Sequence, residues 1–227
     1  MRARAFTAYS VVLFAILALI ALTVNLFLPT LRARRWVAGT AARVFFRLAG
    51  IPLRIEGIER LPQTPCVVVA NHASYIDGIV AAAALPPDFA FVIKREMVRV
   101  PLASLLLRRL GSAFVERFDR HKGGSDTRRV WKLAATGQSL VFFPEGTFDG
   151  TRQVGKFLGG AFSTAERAGM PIVAAAIHGT REVLPTGSIM VHRKPVRFQV
   201  LGVMVPDGAR QRSREMIAAA VGEPLAP

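Results

Sequence analysis

Cys66-Val67-Val68-Val69-Ala70-Asn71-His72-Ala73-Ser74-Tyr75-Ile76-Asp77 is the stretch that decides the fold. Its first five residues are apolar without alternation, the pattern of a strand buried on both faces of a sheet. Asn71 and Ser74 are turn formers, and the apolar run over 78–85 reads as a helix. The stretch is therefore strand, turn, helix, with an ionisable pair at the join. Residues five apart on one continuous helix diverge by about 140°. His72 and Asp77 can meet only if His72 lies in the turn and Asp77 in the first turn of the helix.

That pairing has a chemical meaning. A histidine held by a carboxylate can take a proton from a hydroxyl near neutral pH. The usual third partner is missing: there is no Gly-x-Ser-x-Gly elbow, and Cys66 lies inside the strand run. The pair would then act directly on a hydroxyl of the substrate. A second reading is structural, because Ser74-x-x-Asp77 also fits a capping box that closes the helix N-terminus.

Outward from this stretch, short apolar runs alternate with helical segments. Strands are expected over 53–56, 66–70, 89–93, 113–116, 140–143, 172–177 and 196–200. Helices are expected over 78–85, 102–110, 127–136, 160–168 and 213–221. The alternation implies an α/β fold: a single domain with a mixed, mainly buried sheet flanked by helices. Residues 121–126 contain two glycines and read as a polar loop, and the tail after Gly222 as loose. No internal repeat is evident.

Ahead of this domain, residues 6–28 are almost continuously apolar and long enough to cross a bilayer. Basic residues flank both ends, Arg2 and Arg4 before and Arg32, Arg34 and Arg35 after, so charge does not fix a topology. The segment can span or can dip into one leaflet. Pro29 separates it from a second helix, on which Arg32, Arg35, Arg43 and Arg47 share a sector, with Arg34 the exception. This reads either as an interfacial helix facing anionic headgroups or as a helix packed on the domain with a solvated basic face. Residues 1–50 are thus expected to form a membrane-anchoring hairpin of one hydrophobic and one amphipathic helix, and 51–227 the globular domain.

The composition agrees with a membrane surface. The 227-residue chain carries a formal charge of +15 and is 52% hydrophobic. Nucleic-acid binding would also need a basic chain, but no helix-turn-helix, zinc-finger or aromatic RNA-binding pattern is present. A single cysteine rules out an internal disulfide. No histidine or cysteine has metal-ligand spacing, and neither a phosphate-binding P-loop nor a dinucleotide-binding glycine pattern occurs.

Three further clusters end strands, and a fourth lies just beyond one of them. Gly111-Ser-Ala-Phe114-Val-Glu-Arg117 brings an arginine to a strand end, where it can fork onto a phosphate or pair with Glu116 or Asp119. Phe143-Pro144-Glu145-Gly146-Thr147 offers a carboxylate, a permissive glycine and a hydroxyl, or is an ordinary turn. Lys94 with Arg95, and Arg152 with Lys156, are either phosphate ligands or solvated loop charges.

Taken in order, Asn71-His72-x4-Asp77, Gly111-x-x-Phe114-x-x-Arg117, Phe143-Pro-Glu-Gly-Thr147 and Met170-Pro-Ile-Val-Ala-Ala-Ala-Ile177 resemble the four motifs of the glycerolipid acyltransferase family, whose best-known members are 1-acylglycerol-3-phosphate acyltransferases. The resemblance covers about 52–205. It implies His72 as general base and Asp77 as its orienting carboxylate. It implies substrate-binding roles for Asn71, Lys94, Arg117, Glu145, Gly146 and Thr147. It implies acyl-CoA or acyl carrier protein as donor, a lysophospholipid as acceptor, and neither a cofactor nor a metal. The product would be phosphatidate, formed at the cytoplasmic face of a bacterial cell membrane. The sequence departs from the family at Phe148, where an arginine is common, with Arg152 a possible substitute. It departs again at Leu158-Gly159 and at Ala174. These departures keep open an acceptor with a different headgroup. A thioesterase or lysophospholipase using the same pair, and a non-enzymatic basic membrane module, are the other readings.

Overall fold

The computed structural model describes residues 2–116, 120–148 and 150–226 of the chain, and the side chains of 3–116, 128–148 and 150–226. Seven strands form one sheet in the order β1-β7-β6-β2-β5-β3-β4. They are β1 (Leu53–Glu56), β2 (Val67–Ala70), β3 (Phe89–Lys94), β4 (Ala113–Val115), β5 (Ser139–Phe142), β6 (Ile172–His178) and β7 (Val196–Met204). Strands β6, β2, β5, β3 and β4 run parallel. Strand β7 is antiparallel to β6 and carries β1 parallel to itself at the edge. The sheet is therefore mixed, as the sequence implies.

Strand β2 sits centrally, with Val67 opposite both Leu140 and Ile172. Its side chains alternate between two layers, and both layers are apolar. Val68 and Ala70 pack with Phe45, Phe46, Val80 and Phe198 on one face. Val67 and Val69 pack with Val130, Phe157, Phe162 and Ile217 on the other. That is why the run shows no polar alternation.

The helices are α1 (Arg2–Phe27), α2 (Leu31–Leu48), α3 (Asp77–Ala84), α4 (Pro101–Arg109), α5 (Arg120–Ala135), α6 (Gly160–Ala168), α7 (Thr180–Val183) and α8 (Ala209–Val221). Two expectations are corrected. Residues 121–126 belong to α5 rather than to a loop. The tail after Gly222 is held: Val154 N–H donates to Pro224 O at 2.9 Å and Ala226 N–H to Val154 O at 3.0 Å. Arg214, on α8, also donates to Ala226 O.

Helix α2 differs most from its reading as an interfacial helix. Ala42, Phe45, Phe46 and Ala49 are part of the core. Three of its arginines close the carboxyl ends of other helices, where carbonyls lack intrahelical donors. Arg35 Nε donates to Leu110 O at 2.9 Å, Arg34 Nη1 to Arg109 O at 3.4 Å, and Arg43 Nη1 to Ala83 O at 2.9 Å. Burial lowers the pKa of Arg35, with Asp88 pulling the other way. Two members of the basic sector, Arg35 and Arg43, are thus engaged within the protein.

Helix α1 lies along the domain. The Thr7 hydroxyl, near its start, accepts the Val191 N–H at 3.1 Å and donates to Val191 O at 3.4 Å. Near its end, Arg109 Nη2 donates to Asn25 O and Leu26 O at 2.8 and 2.9 Å. Ser10, Ala21, Leu22 and Asn25 are buried, while Val12, Ile16, Leu19 and Ile20 are each more than half exposed. The helix from Ala3 to Phe27 is long and apolar enough to cross a membrane.

Candidate active site

The carboxyl ends of the parallel strands converge on one rim of the sheet, where α/β folds place their ligands. Strand β2 delivers the segment 71–76, and α3 begins at Asp77. His72 Nδ1 lies 2.8 Å from Asp77 Oδ2. The same oxygen accepts the backbone N–H groups of Ala73 at 2.7 Å and Ser74 at 2.8 Å. The pairing and the capping readings are both realised by one atom. The capping box is only half formed, since Ser74 Oγ donates instead to Leu184 O at 2.8 Å.

Asp77 is fully buried. Its Oδ2 meets two backbone N–H donors at the start of a helix, and as a carboxylate oxygen it accepts from Nδ1 as well. An ionised acceptor makes Nδ1 the protonated nitrogen and leaves the Nε2 lone pair as the base. The imidazole is 18% exposed. Phe143 stacks on it at 4.7 Å, and Phe148 stands at 78° to it at 4.6 Å.

Glu145 sits beneath this arrangement. Its Oε1 accepts the His72 backbone N–H at 2.7 Å, and its Oε2 accepts the Gly155 N–H at 2.7 Å. Burial raises its pKa; the two N–H donors work in the opposite direction. Glu145 thus ties the segment after β5 to the histidine turn and to residue 155. A Cβ at Gly155 would come within 2.9 Å of Glu145 Oε2. Gly146, with φ of 79°, makes the turn that closes with its N–H on Phe143 O at 3.0 Å.

The other expected residues are placed as follows. Asn71 is buried, and its side chain is engaged at both ends by β6: Nδ2 donates to Ile177 O at 2.9 Å and Oδ1 accepts Ile177 N–H at 2.8 Å. It anchors the turn to the fourth motif. Thr147 is exposed, on the rim. Lys94 ends β3 on the same rim, opposite Val115. Beside it a cleft of about 400 Å³ is lined by Arg95, Glu96, Arg99 and Glu116. Arg152, expected to replace a missing phosphate ligand, pairs with Glu182 at 3.2 Å. Arg117 lies outside the described residues. Gly155, Arg99 and the ring of Phe143 escape the sequence reading: nothing in a single sequence marks a glycine ten residues from its partner. Among the described residues no group of three or more His, Cys, Asp or Glu is placed to hold a metal ion.

Fold and site together define an α/β protein with a histidine–carboxylate pair at the carboxyl ends of its parallel strands. The chain belongs to the Acyltransferase family, whose model it matches over residues 52–178. It is 35% identical over 136 residues to a chloroplastic 1-acyl-sn-glycerol-3-phosphate acyltransferase of Brassica napus, covering 59% of this chain and 39% of that one. It is also 35% identical over 123 residues to a lyso-ornithine lipid O-acyltransferase of Rhizobium meliloti, covering 54% and 41%. The match thus spans about two fifths of the length of these relatives. The crystal structure of the 1-acyl-sn-glycerophosphate acyltransferase PlsC from Thermotoga maritima has the same fold, with a TM-score of 0.82 at 21% identity, over 97% of this chain and 95% of that one.

Proposed function

We propose that this protein transfers an acyl chain from a thioester donor, acyl-CoA or acyl carrier protein, to the free hydroxyl of a lysophospholipid. The observation that carries the reading is the 2.8 Å contact between His72 Nδ1 and buried Asp77 Oδ2. His72 Nε2 takes the proton as the acceptor oxygen bonds to the thioester carbonyl carbon. Asp77 stabilises the imidazolium that forms. The C–S bond then breaks, and the thiolate leaves, taking the proton from His72. The thioester supplies the driving force, so the protein contributes positioning and base catalysis. Asn71 and Glu145 act here as positioning residues, because each fixes the backbone that carries His72.

The first acceptor to consider is 1-acylglycerol-3-phosphate, giving phosphatidate, since several relatives bear that activity in their names. Lys94, Arg95, Arg99 and Arg117 are the cations proposed for its phosphate. A lysolipid with another headgroup is the second reading. It is supported by the lyso-ornithine lipid relatives and by the pairing of Arg152 with Glu182. The apolar outer face of α1 is proposed to lie in one leaflet, holding the rim against the membrane that contains the acceptor; a bacterial cytoplasmic membrane with anionic lipids suits the charge.

The test is a product assay in detergent micelles, with labelled acyl-CoA or acyl carrier protein and a panel of lysolipids, using wild type and His72→Ala. A diacyl lipid from wild type and none from the variant is the expected result, and the panel names the acceptor. Free fatty acid as the sole product would make the protein a hydrolase.

A further inference from the structure

The two rings around His72 do something that base catalysis alone does not require. Asp77 occupies the Nδ1 side of the imidazole, Phe143 covers it by stacking, and Phe148 stands edge-on to it. Phe148 is in turn met edge-on by Tyr75, with centroids 4.9 Å apart at 80°. Tyr75 is 63% exposed, so this pair forms the outer side of the enclosure. Phe143 differs from Phe148 in that it packs against the core.

We propose that Phe148 is a water-excluding residue that decides between acyl transfer and hydrolysis of the donor; the proposal rests on the acyl-transfer reading above. A water beside Nε2 needs two to four polar partners to be held there. Phenyl rings offer none. An acceptor lipid brings its hydroxyl on a carrier whose apolar chain is at home against the same rings. If water replaces the acceptor, the balance is simple. His72 takes a proton from water, the water oxygen bonds to the carbonyl carbon, the C–S bond breaks, and the thiolate leaves with the proton. The products are a free fatty acid and a free thiol. Truncating Phe148 opens the side of His72 that faces Tyr75 and admits water to this step.

The experiment uses the full chain in detergent micelles with acyl-CoA, an accepted lysolipid and isotopically labelled water. It measures the ratio of labelled free fatty acid to diacyl lipid for wild type, Phe148→Ala, Phe148→Leu and the double variant His72→Ala/Phe148→Ala. In Phe148→Ala the ratio should rise about tenfold, equivalent to ~1.4 kcal/mol between the two barriers. In Phe148→Leu, which keeps apolar bulk, it should stay near wild type. The double variant should lose both products. An unchanged ratio in Phe148→Ala overturns the proposal, as does an equal rise in Phe148→Leu. Hydrolysis that persists without His72 also overturns it. Wild type that forms no diacyl lipid from any acceptor overturns the acyl-transfer reading itself, a different result from a failed ratio.

Discussion

Replacing Asp77 by Asn keeps the shape of the side chain and removes its charge. An Asn oxygen in the place of Oδ2 can still accept from Ala73 N, Ser74 N and His72 Nδ1, the three donors that Oδ2 holds. It cannot stabilise an imidazolium as a carboxylate does. Asp77→Asn should therefore unfold within about 1 kcal/mol of wild type, while turnover falls about 100-fold or more. Asp77→Ala leaves two backbone donors without an acceptor, at about 1–3 kcal/mol each. Denaturant melts beside initial rates separate the cases; unimpaired turnover in Asp77→Asn would reduce Asp77 to a cap. Glu145 makes a pH prediction. Burial raises its folded pKa above an unfolded value of about 4.3. The stability linked to that shift is fully present below the unfolded pKa and is lost as pH rises through the folded one. Subtracting the Glu145→Gln stability from that of wild type should thus give a difference that falls with pH above about 4.3. A rising difference would mean that the N–H donors of His72 and Gly155 outweigh burial.

At the scale of elements, the central question is why an arginine-rich helix packs into the domain at all. Gly39 is the reason α2 can approach α3: a Cβ there would come within 2.7 Å of Ala82 O, a backbone atom that cannot turn aside. Gly to Ala inside a helix ordinarily stabilises by up to about 1 kcal/mol. Forced overpacking costs about 1–3 kcal/mol. Gly39→Ala should therefore destabilise, and a lowered denaturant midpoint checks it; a raised midpoint would show that α2 moves away at no cost. The strands were legible because β2, β5 and β6 are buried on both faces and appear as unbroken apolar runs. The His72–Asp77 pairing was legible because only a turn lets residues five apart meet. The helical start of α5 was hidden by Gly123-Gly124, and the docking of the tail depends on Val154, some seventy residues away. The arginines of α2 carried no sign of their partners, since helix-end carbonyls leave no mark in composition. Glu145 was visible as a strand-end carboxylate, but its backbone partners are a property of packing.

For the molecule as a whole, the unresolved choice in the sequence was whether the first helix crosses the bilayer or lies in it. A crossing helix changes depth by 1.5 Å per residue, so Val12 and Leu19 would differ by about 10 Å. Helix α1 is tied to the domain at both ends, by Thr7 to Val191 and by Asn25 and Leu26 to Arg109. Between these ties one stripe is buried, and Val12, Ile16, Leu19 and Ile20 point away from the domain. A helix apolar on its outer face as well as its inner one suits an apolar solvent outside. The domain alongside it carries charges, such as Arg32 paired with Asp88 and exposed to water, that could not share a spanning path. Helix α1 should therefore lie along the membrane plane. Fluorophores on single cysteines at 12, 16, 19 and 20, introduced in a Cys66→Ser background, should show similar depths to lipid-borne quenchers in vesicles. A label at position 10, on the buried stripe, should be shielded from all of them. A steady progression of depth from 12 to 20 would instead show a crossing helix and overturn the in-plane placement.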